Sequence, residues 1–158
     1  MSRARDSQRS RVYRAEQEAF CRRRVPIESL DGAMNLFLFP EQEFVDESPL
    51  MSLDECVDLI HLAFARYFPG SRVPLVADGR GRRRACGSPS RISIPRWSRR
   101  RWIVLHEIAH ATIPPGAAWH GPEFAGCYLR LVRRFMGAEA AARLRAAYKS
   151  HRVKTRVR

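Results

Sequence analysis

The sequence predicts an α+β fold in one domain. Segments with apolar residues three and four apart recur at 6–23, 52–70, 98–112, 121–137 and 138–150, which is the helical period. Between them lie short apolar or alternating runs bounded by proline, glycine or Asp-Gly, which read as strands. The length of 158 residues with 45% hydrophobic content suits a single core.

Each element follows from local chemistry. Val12, Ala15, Ala19 and Phe20 place an apolar stripe on a helix over 6–23, with Asp6 or Ser7 as its cap. Pro26 and Asp31-Gly32 break the chain. Ala33–Phe39 reads as a buried strand ending at Pro40, and Phe44-Val45 extends it beyond a kink. Ser52 and Glu55 form a capping box. Leu53, Val57, Ile60, Phe64, Tyr67 and Phe68 follow at helical period, and Gly70 closes the helix. Val73–Ala77 is a strand leading into the Asp78-Gly79 turn, and Arg82–Arg84 fall on an exposed strand or loop. Arg91–Ile94 alternates and meets Pro95, so it reads as a half-exposed edge strand. The sheet is expected to be small and mostly antiparallel.

Ser98 is placed to cap a helix that runs to Thr112 and stops at Pro114-Pro115-Gly116. Gly121-Pro122 opens the next helix, with proline in its first turn. Its buried stripe is Phe124, Cys127, Tyr128, Leu131 and Phe135, and Gly137 ends it. Ala138–Ser150 forms the last helix with Ala141, Leu144, Ala147 and Tyr148 inward. The domain is therefore expected over 1–150, with 151–158 a frayed basic tail.

Composition narrows the function classes. There are 29 basic and 16 acidic residues, a net charge of +13. Residues 25–70 hold nine acids against one arginine, whereas 71–105 hold ten arginines against one aspartate. That asymmetry attracts polyanions or acidic proteins, so nucleic acid is a candidate partner of the basic surface. No recognition-helix pattern or aromatic strand signature for nucleic acid accompanies it. No apolar run approaches a membrane span, and no apolar segment follows the N-terminal arginines, so a cytoplasmic protein without membrane contact is expected. Cys21, Cys56, Cys86 and Cys127 are scattered without a CxxC pair, which excludes a zinc ribbon and fits reduced thiols.

The chemistry concentrates at 106–123. His106-Glu107-Ile108-Ala109-His110 is an HExxH motif on a predicted helix. Histidines four apart share one helix face and can hold one tetrahedral cation. Glu107 lies about 100° round the helix, where it can reach a water on that cation. A catalytic zinc takes three protein ligands plus water. His120, beyond the Pro114-Pro115-Gly116 reversal, is the favoured third, and Glu123 is its rival. Glu123 also suits a helix first turn for dipole reasons alone. His61 and His151 have weaker claims, and Cys127 could fold back as a fourth ligand. Tyr148, and after it Tyr128, are candidates to stabilise a transition-state oxyanion, although both fit core stripes. Arg99–Arg101 oppose the dipole of the helix they precede, which suggests an anionic substrate. Ile92–Ile94 could pair with an extended peptide.

The pattern HExxH followed by His120-Gly121-Pro122-Glu123-Phe124 resembles the minimal zincin core of SprT-like metalloproteases. More closely, the chain resembles a family of small metallohydrolases from actinobacteria and their phages. Asp6–Tyr13, His106–His110, His120–Phe124, Leu129–Arg133 and Met136-Gly137 carry that likeness. The resemblance implies a zincin-like, zinc-binding hydrolase fold and no particular substrate. The zinc-ribbon cysteines of SprT-like proteins are absent.

Together these readings predict a zinc metallohydrolase, first of all a metallopeptidase acting on a protein or peptide. His106, His110 and His120 would hold Zn²⁺, and Glu107 would act as general base and then acid. The alternatives are a zinc-dependent nuclease and a non-catalytic, basic nucleic-acid-binding protein with a structural zinc.

Overall fold

The computed structural model describes residues 4–23 and 44–156. The strand expected at Ala33–Phe39 lies outside them. The fold is α+β, with five helices and a small three-stranded sheet. Helix α1 (Arg9–Phe20) is followed by a short ladder of β1 (Arg22–Arg23) with β2 (Phe44–Val45). Helix α2 spans Leu53–Tyr67, and the capping box is formed: the Ser52 hydroxyl accepts from Glu55 N–H, and the Ser52 amide donates to the Glu55 carboxylate at 2.6 Å. Gly70, at φ +80°, takes the left-handed turn beyond it.

The sheet is mixed, not mostly antiparallel. Strands β3 (Leu75–Asp78), β4 (Cys86–Gly87) and β5 (Arg91–Ile94) lie in the order β3-β5-β4. β5 runs parallel to β3 and antiparallel to β4. Arg91–Ile94 is therefore the central strand and offers no open edge to a peptide. Its Ile92, Ser93 and Ile94 are all buried. Pro95 sits just past the last paired residue and costs the ladder no hydrogen bond.

Helix α3 (Arg101–Thr112) is buried over its whole length from Val104 to Ala111. A helix covered on all sides must be apolar all round or carry paired polar groups. Ser98 does not cap it. Ser98 lies in a 3-10 turn (Arg96–Ser98) and its hydroxyl donates to the Pro95 carbonyl at 2.8 Å. The arginines before α3 are held by carboxylates instead: Arg99 by Asp78 at 3.0 Å and Arg100 by Asp46 at 3.1 Å.

Helix α4 (Pro122–Phe135) starts on its proline, and α5 (Gly137–Ser150) follows at once through Gly137 at φ +93°. Helices α1 and α4 both pack on α5, while α2 and α4 pack on α3. Ala141, Leu144, Ala147 and Tyr148 point inward as expected.

The segment after α5 is not frayed. Val153 is buried, and Gln8 grips Lys154 twice: its side-chain amide donates to the Lys154 carbonyl and accepts from the Lys154 N–H, each at 3.1 Å. Arg156 N–H donates to the Pro122 carbonyl at 2.7 Å. A Cβ at Gly126 would overlap the Arg156 carbonyl, so glycine is what lets this strap lie against α4. Composition marks these residues as polar, but their backbone groups find partners that composition does not show.

Candidate metal centre

His106 and His110 lie on α3, and His120 sits just before α4. The reversal at Pro114-Pro115-Gly116, with Gly116 at φ +82°, turns the chain back. Three ring nitrogens, one from each histidine, lie within 4.8 Å of one another, and all three residues are buried. The Nε2 atoms of His106 and His110 are 3.0 Å apart. Two imidazoles on one tetrahedral zinc hold their nitrogens about 3.4 Å apart, so this pair stands near ligand spacing. The Nε2 of His120 is buried and has no hydrogen-bond partner among the described residues. A buried acceptor without a donor is costly, and a cation would satisfy it.

Carboxylates hold two of the rings from behind. Both Glu16 oxygens lie 2.9 Å from His106 Nδ1. The Asp6 carboxylate lies 2.8 Å from His120 Nδ1 and also accepts the His120 backbone N–H at 3.2 Å. A carboxylate accepts only, so each ring carries its hydrogen on Nδ1 and keeps the Nε2 lone pair for the shared space. Metal-binding histidines are oriented in this way. Burial opposes the charged form of His106, yet the charge and hydrogen bond of Glu16 outweigh it and hold its pKa above the ordinary value. Burial pushes His120 below the ordinary value, helped by nearby His106, despite Asp6.

Glu107 is 6% exposed. Burial raises its pKa to about 7, and the Glu16 charge adds to this, while His106 and a hydrogen bond from the Gly87 amide pull it down. A carboxyl that titrates near neutrality is matched to taking and returning a proton. Gly87, on edge strand β4, lies so close to α3 that a Cβ there would overlap the Glu107 carbonyl oxygen. Phe124 closes the inner wall: its ring lies 4.8, 4.5 and 5.0 Å from the rings of His106, His110 and His120. Trp119 stands edge-on to His110 at 5.5 Å.

The other expected candidates lie elsewhere. The Glu123 carboxylate pairs with Arg156 at 2.8 Å. Cys127 is 3.4 Å from the Thr112 hydroxyl and stands outside the histidine group. His61 is exposed on α2, and His151 pairs with Glu18 at 2.7 Å. Tyr128 donates its hydroxyl to the Trp102 carbonyl at 3.0 Å. The Tyr148 hydroxyl is sealed in the core, with no hydrogen-bond partner among the described residues. Its pKa is raised far by burial and then by the Glu16 charge. It is therefore closed off from solvent.

Three residues of the site were missed as site residues. Asp6 was expected to cap α1 and instead orients His120; the N-cap is Gln8, which makes no side-chain cap bond. Glu16, beside the buried Ala15 on α1, holds His106. Tyr13 stacks on His106 at 5.5 Å and 17°, and tilts against His120 at 4.9 Å, while 38% exposed. It is the phenol that meets both the histidines and solvent, and the Arg9 guanidinium lies 5.7 Å from its ring centre. Tyr13 and Glu16 are three residues apart, which puts them on one stripe of α1, while Asp6 lies in the segment that leads into the helix. That spacing is the signal the sequence carried. No family model, curated protein or solved structure matches this chain.

Proposed function

We propose that this chain is a zinc-dependent hydrolase with a zincin-like centre, and that its substrate is a peptide bond. One observation carries the reading: two carboxylates fix the Nδ1–H form of two histidines, so that buried Nε2 atoms converge beside a buried glutamate. Three imidazoles with a polar second layer suit zinc, which accepts nitrogen ligands in tetrahedral geometry. His106, His110 and His120 would hold it. A bound divalent cation of this kind supplies Lewis acidity and brings the pKa of a coordinated water toward about 7.

The protein's own groups do the rest. Glu107 takes the proton from the attacking water and returns it to the leaving amine. Its nearly closed setting strengthens each charge interaction at that moment. Tyr13, partly exposed and with its ring against His106 and His120, is the available donor for a developing oxyanion. The likeness of His120–Phe124 and Asp6–Tyr13 to the small actinobacterial and phage metallohydrolases supports the same reading. The +13 charge also admits a phosphodiester substrate. Substrate choice separates the two readings.

The test combines metal content with turnover. Purified wild type and Glu107→Gln should each hold about one zinc per chain. Cleavage of denatured protein substrates should occur in the wild type and fall at least ~100-fold in Glu107→Gln. A wild type that takes up no metal on zinc incubation overturns the centre. Zinc binding with equal cleavage by both proteins overturns the role of Glu107. Zinc-dependent cleavage of RNA or DNA and not of protein replaces the peptidase with a nuclease.

A further inference from the structure

A second feature lies away from the histidines. A groove of about 770 Å³ runs between the start of α2, the turn after β3 and the 3-10 turn before α3. Its lining includes Leu50, Arg80, Arg82, Arg96, Trp97 and Arg99. Trp97 is 53% exposed and Leu50 50%. An indole in the open is unusual, because burial removes 150–250 Å² of largely apolar surface. The other two tryptophans are engaged inside: Trp102 donates to Asp46 at 2.9 Å, and Trp119 meets His110.

The cations beside Trp97 fall into two groups. Arg80 and Arg99 are both held by Asp78, at 2.9 and 3.0 Å. Arg82 and Arg96 are exposed and make no ion pair among the described residues, and exposed Arg83 and Arg84 continue the run. The groove thus offers one flat aromatic face flanked by exposed guanidinium groups that are unpaired among the described residues. That combination matches unpaired bases joined by phosphates: the ring stacks a base, and the arginines track the backbone. An acidic peptide would satisfy the arginines and leave Trp97 without a stacking partner. A duplex would satisfy the arginines but keep its bases hidden.

We infer that this groove binds single-stranded nucleic acid, with one base stacked on Trp97 and adjacent phosphates on Arg82 and Arg96. The inference does not rest on the metal centre, which shares none of these residues.

Tryptophan emission tests it directly, because Trp97 is the exposed indole of the three. Ten-nucleotide oligo(dT) and oligo(rU) should quench the emission of the full-length protein. Affinity should fall with salt at a log–log slope of about −1.4 to −2.8, for two to four phosphates neutralised. Trp97→Ala should abolish the quench and weaken binding on the order of tenfold, whereas Trp97→Phe should keep most of the affinity. Arg82→Ala with Arg96→Ala should flatten the salt slope by about 1.4. Glu107→Gln should bind as the wild type does. Circular dichroism confirms that each variant is folded, which is expected for exposed positions. Equal affinity for a ten-base-pair duplex overturns the proposal in favour of phosphate attraction alone. Undiminished binding by Trp97→Ala places the strand on another surface. Absence of binding at low salt, or binding only to acidic peptides or anionic vesicles, also overturns it.

Discussion

Glu16→Gln tests the reasoning about the metal centre most sharply. Glu16 is 1% exposed, and both its oxygens lie 2.9 Å from His106 Nδ1. Glutamine keeps the volume and one acceptor oxygen but removes the charge. His106 then keeps its tautomer and loses the anion that raises its basicity as a ligand. Loss of such a partner costs about 10–100-fold in metal affinity, or about 1.4–2.8 kcal/mol. Asp6→Asn should cost less, because the Asp6 side chain is 23% exposed and water screens its charge. The sign with pH also follows. His106 in the metal-free protein has a raised pKa, so loading the metal below that value means displacing a proton. Glu16→Gln lowers that pKa and pays less of this cost. The gap between wild type and variant should therefore be widest above the His106 titration and narrow as pH falls through it. Competition against a chromophoric zinc chelator at pH 7.5 and 6.0, with circular dichroism to confirm folding, measures both effects. A folded Glu16→Gln whose zinc affinity stays within about threefold of wild type at pH 7.5 would refute the argument.

Tyr148→Phe removes a buried hydroxyl that has no hydrogen-bond partner among the described residues, so thermal stability should hold or rise by up to ~2 kcal/mol, with metal content and turnover unchanged. A large loss of turnover at full zinc occupancy would restore Tyr148 as an oxyanion donor. Gly87→Ala drives a methyl into the Glu107 backbone and should cost about 1–3 kcal/mol in chemical denaturation; a neutral result would show that β4 does not rest on α3 as described. Deleting 153–158 removes the Val153 contact and the hydrogen bonds to Gln8 and Pro122, and should lower the melting temperature by several degrees, whereas a truly frayed tail would leave it unchanged. Cys86 is exposed and should alkylate readily, while burial holds Cys56 at a pKa of about 11 and should leave it inert until the protein unfolds; equal labelling rates would contradict that burial.

Much of the fold was legible locally. Helix α2 is written in Ser52 and Glu55 and in the apolar period behind them, because capping and amphipathicity act within a few residues. The same holds for Pro122 at the start of α4 and the inward face of α5. His106 and His110 needed only the helical repeat to share a face. Pairing was not legible. Whether Arg91–Ile94 lies at an edge or in the centre depends on β3 and β4, which its own alternation cannot reveal. Ser98 could cap a helix as readily as bond within a turn, and it bonds back to the Pro95 carbonyl.

The division at the centre itself follows the same physics. The sequence alone determined the chemistry available: two histidines one helical turn apart, a glutamate between them, and a third histidine across a proline turn. Covalent spacing and helix geometry suffice for that. Tertiary structure decided which of His120 and Glu123 joins them, since that depends on Arg156 holding Glu123 and on Asp6 holding His120, 33 and 114 residues away along the chain. It also made Asp6, expected as a helix cap, and Glu16 the carboxylates that orient the imidazoles. A polar side chain facing water and one buried against a partner look alike in sequence, and only packing separates them.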